Sequence, residues 1–279
     1  MPDIGFLNGR FMPLAEAMVP VEDRGFQFGD GVYEVIRTYR GVPFQLEAHL
    51  ARLERSAGAI ALPLPFRTTE WLGYVTEGIQ LAGYAESKVY IQLTRGAAPR
   101  DHLFPVGTPP TAVMTIREML SLDPVLSATG VPVITVEDLR WGRCDIKSVN
   151  LLPNVMARQQ AKEAGAFEAI FVRAGEVIEG AVSNVMMVRS GVLVTALADE
   201  RILSGVTRAV VLELARKEGI PVEERAIRVE ELRGADEIFL TGTTVEILPV
   251  IGVDGVTVGT GRPGELTRLL SHRFRSSVE

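Results

Sequence analysis

Segments whose apolar residues alternate in twos are interleaved irregularly with segments that repeat every three or four residues, and glycine-ended turns join several of the alternating pieces. Gly5-Phe-Leu-Asn8-Gly9-Arg-Phe11 sets an Asn-Gly turn between extended pieces, which predicts a hairpin. Arg173-Ala-Gly-Glu176 turns the chain after a strand at 169–172, and a Ser190-Gly191 turn separates strands at 185–189 and 192–195. Connections this short join antiparallel neighbours, whereas parallel strands need a long crossover. A regular βαβ repeat is therefore disfavoured, and the pattern reads as α+β.

Further strands are expected at 32–39, 88–95, 111–116, 131–136 and 237–241. Helices are expected at 46–61, 69–83, 154–164 and 205–218, the last three stopped by Gly83, Gly165 and Gly219. Met119-Leu-Ser-Leu-Asp-Pro124 breaks both periods. It divides the chain into a smaller domain at 1–118, a linker at 119–124 and a larger domain at 125–279.

The 279 residues carry a net charge of −6, so the overall field opposes nucleic acid and anionic membrane. Cys144 is the only cysteine, which rules out an intrachain disulfide and suits a reducing cytoplasm. The start of the chain lacks the basic-then-apolar order of a secretory signal, and no apolar run is long enough for a transmembrane helix.

Arg140-Trp-Gly-Arg-Cys-Asp-Ile-Lys147-Ser-Val-Asn150 places a lysine where polar sequence gives way to apolar, just before a helix. Loss of hydration disfavours an ammonium, and a neutral amine is a nucleophile for a carbonyl cofactor. The same position also suits a surface lysine. Gly205-Val206-Thr207 opens a helix, whose free N–H groups suit a phosphate or simply an ordinary cap. Arg52 lies one turn after His49 and could bring a fixed positive charge, or be a surface arginine. Thr243 sits in a hydroxyl-rich turn. Glu179 suits a protonated ring nitrogen or a plain strand-end turn. Arg100 and His102, in the loop Pro99-Arg-Asp-His102, suit a carboxylate, and Tyr33 suits either that clamp or the core. Gly29-Asp-Gly31 lacks the third glycine of a dinucleotide fingerprint. His49, His102 and His272 are too scattered for a metal, and no Gly-x-Ser-x-Gly elbow occurs.

Together, six ordered stretches resemble the fold type IV pyridoxal-phosphate enzymes, over about residues 6–253. They are Arg24-Gly-Phe-Gln-Phe-Gly-Asp-Gly-Val-Tyr33-Glu34, Glu47-Ala-His49-Leu-Ala-Arg52-Leu53 and Asp145-Ile-Lys147-Ser-Val-Asn150. Glu179-Gly-Ala-Val-Ser-Asn184, Gly205-Val-Thr207-Arg208 and Thr243-Thr-Val-Glu246 complete the set. The resemblance implies a two-domain architecture with pyridoxal 5'-phosphate in the cleft between the domains. It implies that Lys147 holds the cofactor as a Schiff base and shuttles a proton, while Glu179 keeps the ring nitrogen protonated. Arg52, the backbone at Val206 and Thr207, and Thr243 would hold the phosphate.

Val32-Tyr33-Glu34 with Pro99-Arg100-Asp-His102 is similar to the D-amino-acid aminotransferase pattern. There Tyr33, Arg100 and His102 would trap the substrate carboxylate, with the Arg/His loop supplied by the neighbouring subunit of a homodimer. The substrates implied are a D-amino acid, such as D-alanine or D-glutamate, and a 2-oxo acid. Branched-chain L-aminotransferases, (R)-amine transaminases and aminodeoxychorismate lyases share the fold and are the alternatives. Val35 after Glu34 departs from the branched-chain pattern. A binding protein that has lost catalysis would have no reason to keep both Lys147 and Glu179. Gly142 and Gly242 stand where relatives often carry larger or hydroxyl side chains, which implies a wider pocket.

Overall fold

The computed structural model describes residues 3–278. They form two compact units, one running to Leu120 and including Ile146–Asn150, the other comprising Ser121–Asp145 and the chain from Leu151 onward. The reading of 125–279 as one uninterrupted domain is corrected here, because five residues from its middle group with the first unit.

The first unit contains β1 (Ile4–Leu7), β2 (Arg10–Pro13), α1 (Arg24–Phe28), β3 (Gly31–Tyr39), β4 (Val42–Pro43), α2 (Leu46–Ala59), α3 (Thr68–Ala82), β5 (Ser87–Thr94) and β6 (Thr111–Glu118). The strands form one sheet in the order β2-β1-β6-β5-β3-β4 with antiparallel neighbours. Asn8 and Gly9 both adopt positive φ (48° and 93°), the conformation whose twist matches a tight hairpin. Phe6 anchors an aromatic cluster with Phe11, Phe66, Trp71 and Tyr74. Helix α2 turns Leu50, Leu53 and Ala57 into this core and also buries His49, Arg52 and Ser56.

Ile146–Asn150 lies alongside β3. The Tyr33 N–H donates to the Lys147 carbonyl at 2.9 Å, the Val149 N–H donates to the Gly31 carbonyl at 3.1 Å, and Ile146 joins the core. The pairing reaches more than a hundred residues back along the chain, so no local period announces it. Helix α1 is also absent from the sequence reading. It is five residues long, capped by the Asp23 side chain and ended by Gly29 at φ 67°.

The second unit contains α4 (Pro124–Thr129), β7 (Val131–Glu137), α5 (Leu152–Glu163), β8 (Glu168–Arg173), β9 (Glu176–Gly180), β10 (Asn184–Arg189), β11 (Val192–Thr195) and α6 (Val206–Lys217). It continues with β12 (Val222–Glu224), β13 (Ile227–Arg228), α7 (Val229–Arg233), β14 (Glu237–Gly242), β15 (Glu246–Val253), β16 (Val256–Thr257) and α8 (Glu265–Val278). Its sheet runs β12-β11-β10-β14-β15-β7-β8-β9-β13, with β16 paired to β15. Only β7 with β8, β7 with β15, and β11 with β12 pair in parallel among the described residues. Val185, Met187, Ile238, Leu240, Leu248 and Val250 supply its core. Among the described residues, no helix is long and apolar enough to cross a membrane.

Candidate active site

Two buried polar groups, one in each unit, gather most of the candidate residues. In the first, Lys147 is fixed through its backbone. Its N–H donates to Ser56 Oγ at 3.1 Å and its carbonyl accepts from Tyr33. Its Nζ lies 4.4 Å from the Tyr33 ring centroid, within cation–π range, and Tyr33 stacks on Tyr90 at 5.6 Å.

His49, Arg52 and Ser56 share one face of α2, spaced three and four residues apart. That face meets Glu34 on β3. Glu34 is wholly buried and accepts from Arg52 in a forked pair (Nε–Oε1 2.7 Å, Nη2–Oε2 2.9 Å) and bonds His49 Nδ1 at 2.7 Å. Burial alone would raise the Glu34 carboxyl, but the Arg52 bonds and charge and the His49 bond outweigh it and bring it down to about 2. For His49, burial wins over the raising effect of Glu34, so its pKa falls below the ordinary imidazole value. At neutral pH Glu34 is charged and His49 neutral. Arg52 therefore sits as a cation positioned by Glu34.

Arg100 and His102 are placed differently. Both are exposed, in the loop between β5 and β6. Arg100 stacks over Phe28 at 4.4 Å and His102 lies 5.4 Å from the same ring, so these contacts run to α1 rather than to Tyr33. The loop's base is held firmly. Asp30 accepts from both Arg24 and Arg95 at 2.8 Å, Arg24 also donates to the Asp101 carbonyl at 2.6 Å, and Phe104 covers the Arg95 guanidinium at 3.6 Å.

In the second unit, Glu179 lies at the end of β9, 5% exposed. Its Oε1 accepts from Arg140 Nη1, and its Oε2 accepts from Asn184 Nδ2 at 3.1 Å and the Leu203 N–H at 3.0 Å. Asn184 also donates to the Leu203 carbonyl at 2.8 Å. The carboxylate is thereby tied to the turn that leads into α6. Gly205 is the N-cap of that helix, and a Cβ there would collide with Asn184 Oδ1, so only glycine allows this approach. Val206 and Thr207 are buried in the first helical turn, where backbone N–H groups lack intrahelical partners. Thr243 is half-buried in the turn between β14 and β15, whose register spans Gly242 to Glu246. A Cβ at Gly142 would meet open space, whereas one at Gly242 would crowd Val245 at 3.3 Å.

Asp138, Arg140, Asn184 and Ser56 carry no role in the sequence reading. Arg140 stands in the same stretch as Lys147, but its partner Glu179 is 39 residues away, and only the register of the sheet joins them.

The sequence model of the amino-transferase class IV family matches residues 31–253. The chain belongs to that family. It is 44% identical over 272 residues to the D-alanine aminotransferase of Bacillus licheniformis, covering 97% of this chain and 95% of that protein. Among solved structures it is similar to the Escherichia coli branched-chain amino acid aminotransferase (TM-score 0.93, 26% identity, 99% of this chain and 94% of that one). It is also similar to the branched-chain aminotransferase of the thermophilic archaeon Thermoproteus uzoniensis, solved with norvaline (TM-score 0.90, 31% identity, 99% of this chain and 94% of that one). A further branched-chain amino acid aminotransferase, solved with pyridoxamine 5'-phosphate, superposes with TM-score 0.92 at 27% identity over 99% and 93% of the two chains. The chain is thus a pyridoxal-phosphate-dependent aminotransferase with the two-domain α+β architecture of fold type IV.

The side chains fit that cofactor by type. A backbone-fixed lysine suits an aldehyde, and a carboxylate held by an arginine, an amide and a backbone N–H suits a pyridinium nitrogen. A glycine-capped helix start suits a phosphate, and Arg52, fixed by Glu34, suits it as a positive charge.

Proposed function

We propose that this aminotransferase exchanges the amino group between a D-amino acid of the D-alanine type and a 2-oxo acid such as pyruvate or 2-oxoglutarate. The observation that carries the proposal is 44% identity to a D-alanine aminotransferase over nearly both full lengths. The exposed loop Pro99-Arg100-Asp-His102, which carries an arginine and a histidine suited to a carboxylate, supports it.

The cofactor supplies an aldehyde and an electron-withdrawing ring that makes the substrate's Cα–H acidic. Lys147 would hold the aldehyde carbon through Nζ, and the same amine, once displaced by the substrate's amino group, would move the proton at Cα. Glu179 keeps a proton on the ring nitrogen. Arg52, the N–H groups of Val206 and Thr207, and the Thr243 hydroxyl hold the phosphate. Tyr33, Arg100 and His102 orient the substrate carboxylate, and the side of the pocket on which they do so selects the enantiomer.

Arg100 and His102 act on the site of a partner subunit in a homodimer. Met18 and Val21 ahead of α1, Phe26 within it, and Leu103, Phe104 and Val106 in the loop between β5 and β6 are all more than half exposed. An apolar patch of that extent is costly in water and suits a second copy. The lone cysteine, Cys144, suits a reducing cytoplasm.

The test adds D-alanine, L-leucine and (R)-1-phenylethylamine separately to cofactor-loaded protein without oxo acid. Loss of the near-visible band with D-alanine supports the proposal. Loss mainly with L-leucine would give the branched-chain assignment that the solved neighbours carry. Loss mainly with the amine would mean that no carboxylate is demanded, and pyruvate release from an enolpyruvyl ether would mark a lyase.

A further inference from the structure

Behind Glu179 lies a cluster that holding a single carboxylate does not require. Asp138, just beyond β7, has a side chain with no exposure. Its Oδ1 accepts from Arg140 Nε at 2.9 Å and from the Arg140 N–H at 3.1 Å. Its Oδ2 accepts from Arg140 Nη2 at 3.1 Å and from Arg173 Nη2 at 2.9 Å. Arg140 gives its remaining nitrogen, Nη1, to Glu179 and lies 4.2 Å from the Phe171 ring centroid. One buried guanidinium is therefore divided between two buried carboxylates, with a second arginine on the far side. The Cys144 thiol, which feels all four of these charges, is pushed up to about 11, chiefly by burial, and stays neutral.

Two carboxylates and two guanidiniums leave this cluster with no net charge before a protonated ring nitrogen is added. Arg140 draws on the negative charge of Glu179, and Asp138 limits how much it draws. We propose that Asp138, Arg140 and Arg173 are positioning residues that set the proton affinity of the cofactor's ring nitrogen by setting how much charge Glu179 offers it. This rests on the reading that Glu179 faces that nitrogen. A carboxylate gripped by an uncompensated arginine would hold the ring proton too weakly to keep the electron sink. A bare buried carboxylate would be expensive to hold charged. The shared arginine avoids both extremes.

The experiment loads the protein with pyridoxal phosphate labelled with 15N in the ring. The resonance is followed across pH, to where the wild-type protein lies midway between the pyridine and pyridinium limits. Asp138→Asn makes the cluster more positive and moves the resonance toward pyridine, lowering the midpoint by about one pH unit, the size of effect a neighbouring charge produces. Arg173→Gln makes it more negative and moves the resonance toward pyridinium. Arg173 is 31% exposed in its side chain, which makes that variant the one to rely on if Asp138→Asn does not fold. Arg140→Lys keeps the charge and stays closer to wild type than Asp138→Asn does. Opposite shifts for the first two variants support the proposal, because simple loosening would move both the same way. Shifts in the same direction, or none, overturn it, as does an Arg173→Gln resonance unmoved or moved toward pyridine when that variant stands alone. Glu179→Gln separates the two layers: if its resonance matches wild type, Glu179 does not face the nitrogen and the underlying reading fails.

Discussion

The surroundings of Lys147 and the loop that carries Arg100 belong to the same unit, yet they are built in opposite ways. Around Lys147, charge is buried and fully engaged: Glu34 has no exposure, His49 has 1% and Arg52 5%, and Glu34 bonds both of the others. In the loop, Arg100 and His102 are exposed and lean on the ring of Phe28, while the loop's base is pinned by Asp30 with Arg24 and Arg95. The difference separates two tasks. Chemistry common to every substrate needs groups fixed before the substrate arrives, which burial and shared hydrogen bonds provide. On the proposed reading, choice of substrate falls to the exposed Arg100 and His102, on a surface that a second subunit would complete.

Four variants or conditions test this contrast. Lys147→Ala should cut turnover by about 10²–10⁴-fold or more, the range for a positioned proton-transfer group, with little change in Tm. Borohydride should then no longer fix the cofactor to the chain. Normal turnover would remove Lys147 from the chemistry. Glu34→Gln removes the counter-charge of a buried arginine and replaces one of its two acceptor oxygens with a donor, and denaturant unfolding should report a loss of about 3–5 kcal/mol. A loss below about 1 kcal/mol, the scale of an exposed pair, would mean that the buried group is less coupled than its geometry indicates. Arg100→Ala should leave unfolding unchanged but lower kcat/KM for D-alanine by about 30-fold or more, the factor corresponding to ~2 kcal/mol for a desolvated charge pair. Unchanged D-alanine kinetics would detach the loop from carboxylate recognition.

The smallest effect is in acid. The folded-state pKa values of His49 and Glu34 both lie below their ordinary values, His49 through burial first and Glu34 because its bonds to Arg52 and His49 outweigh burial. Each therefore contributes stability that is complete above its ordinary pKa and fades as pH falls. His49 begins to lose its share below about 6.5, and Glu34 loses its share from about 4.5 down to about 2. A pH series of Tm should thus fall in two stages. His49→Gln should remove the earlier stage and spare the later one. A wild-type Tm that stays flat from about pH 7 to about pH 5 would contradict the neutral buried imidazole.

Much of the fold is written locally. Asn8-Gly9, Ala174-Gly175 and Ser190-Gly191 all adopt the positive φ pairs of tight hairpins, and α2, α3 and α6 follow their apolar spacing to within a residue or two. Strand β15 and helix α8 escaped the reading. In β15, Pro249 and Gly252 interrupt the alternation, although β14 and β7 pair on either side of it. The start of α8 is held by Glu237, which accepts from the Leu266 and Thr267 N–H groups. Lys147, Glu179 and Thr207 could be singled out because each sits at a transition between local patterns. The partners that give them their electrostatic settings could not. Ser56 is 91 residues from Lys147 and Arg140 is 39 from Glu179, and such pairings exist only once the sheets have formed.

Mixing the Lys147→Ala and Arg100→Ala chains after joint unfolding and refolding tests the divided site most directly, with D-alanine and 2-oxoglutarate as substrates. If Arg100 serves the partner's Lys147, each mixed dimer contains one site with both residues intact. Random pairing should then recover about a quarter of wild-type activity from two nearly inactive chains. If Arg100 serves its own chain's Lys147, no site in any mixture is intact, and activity that never rises above the two separate variants would contradict the account.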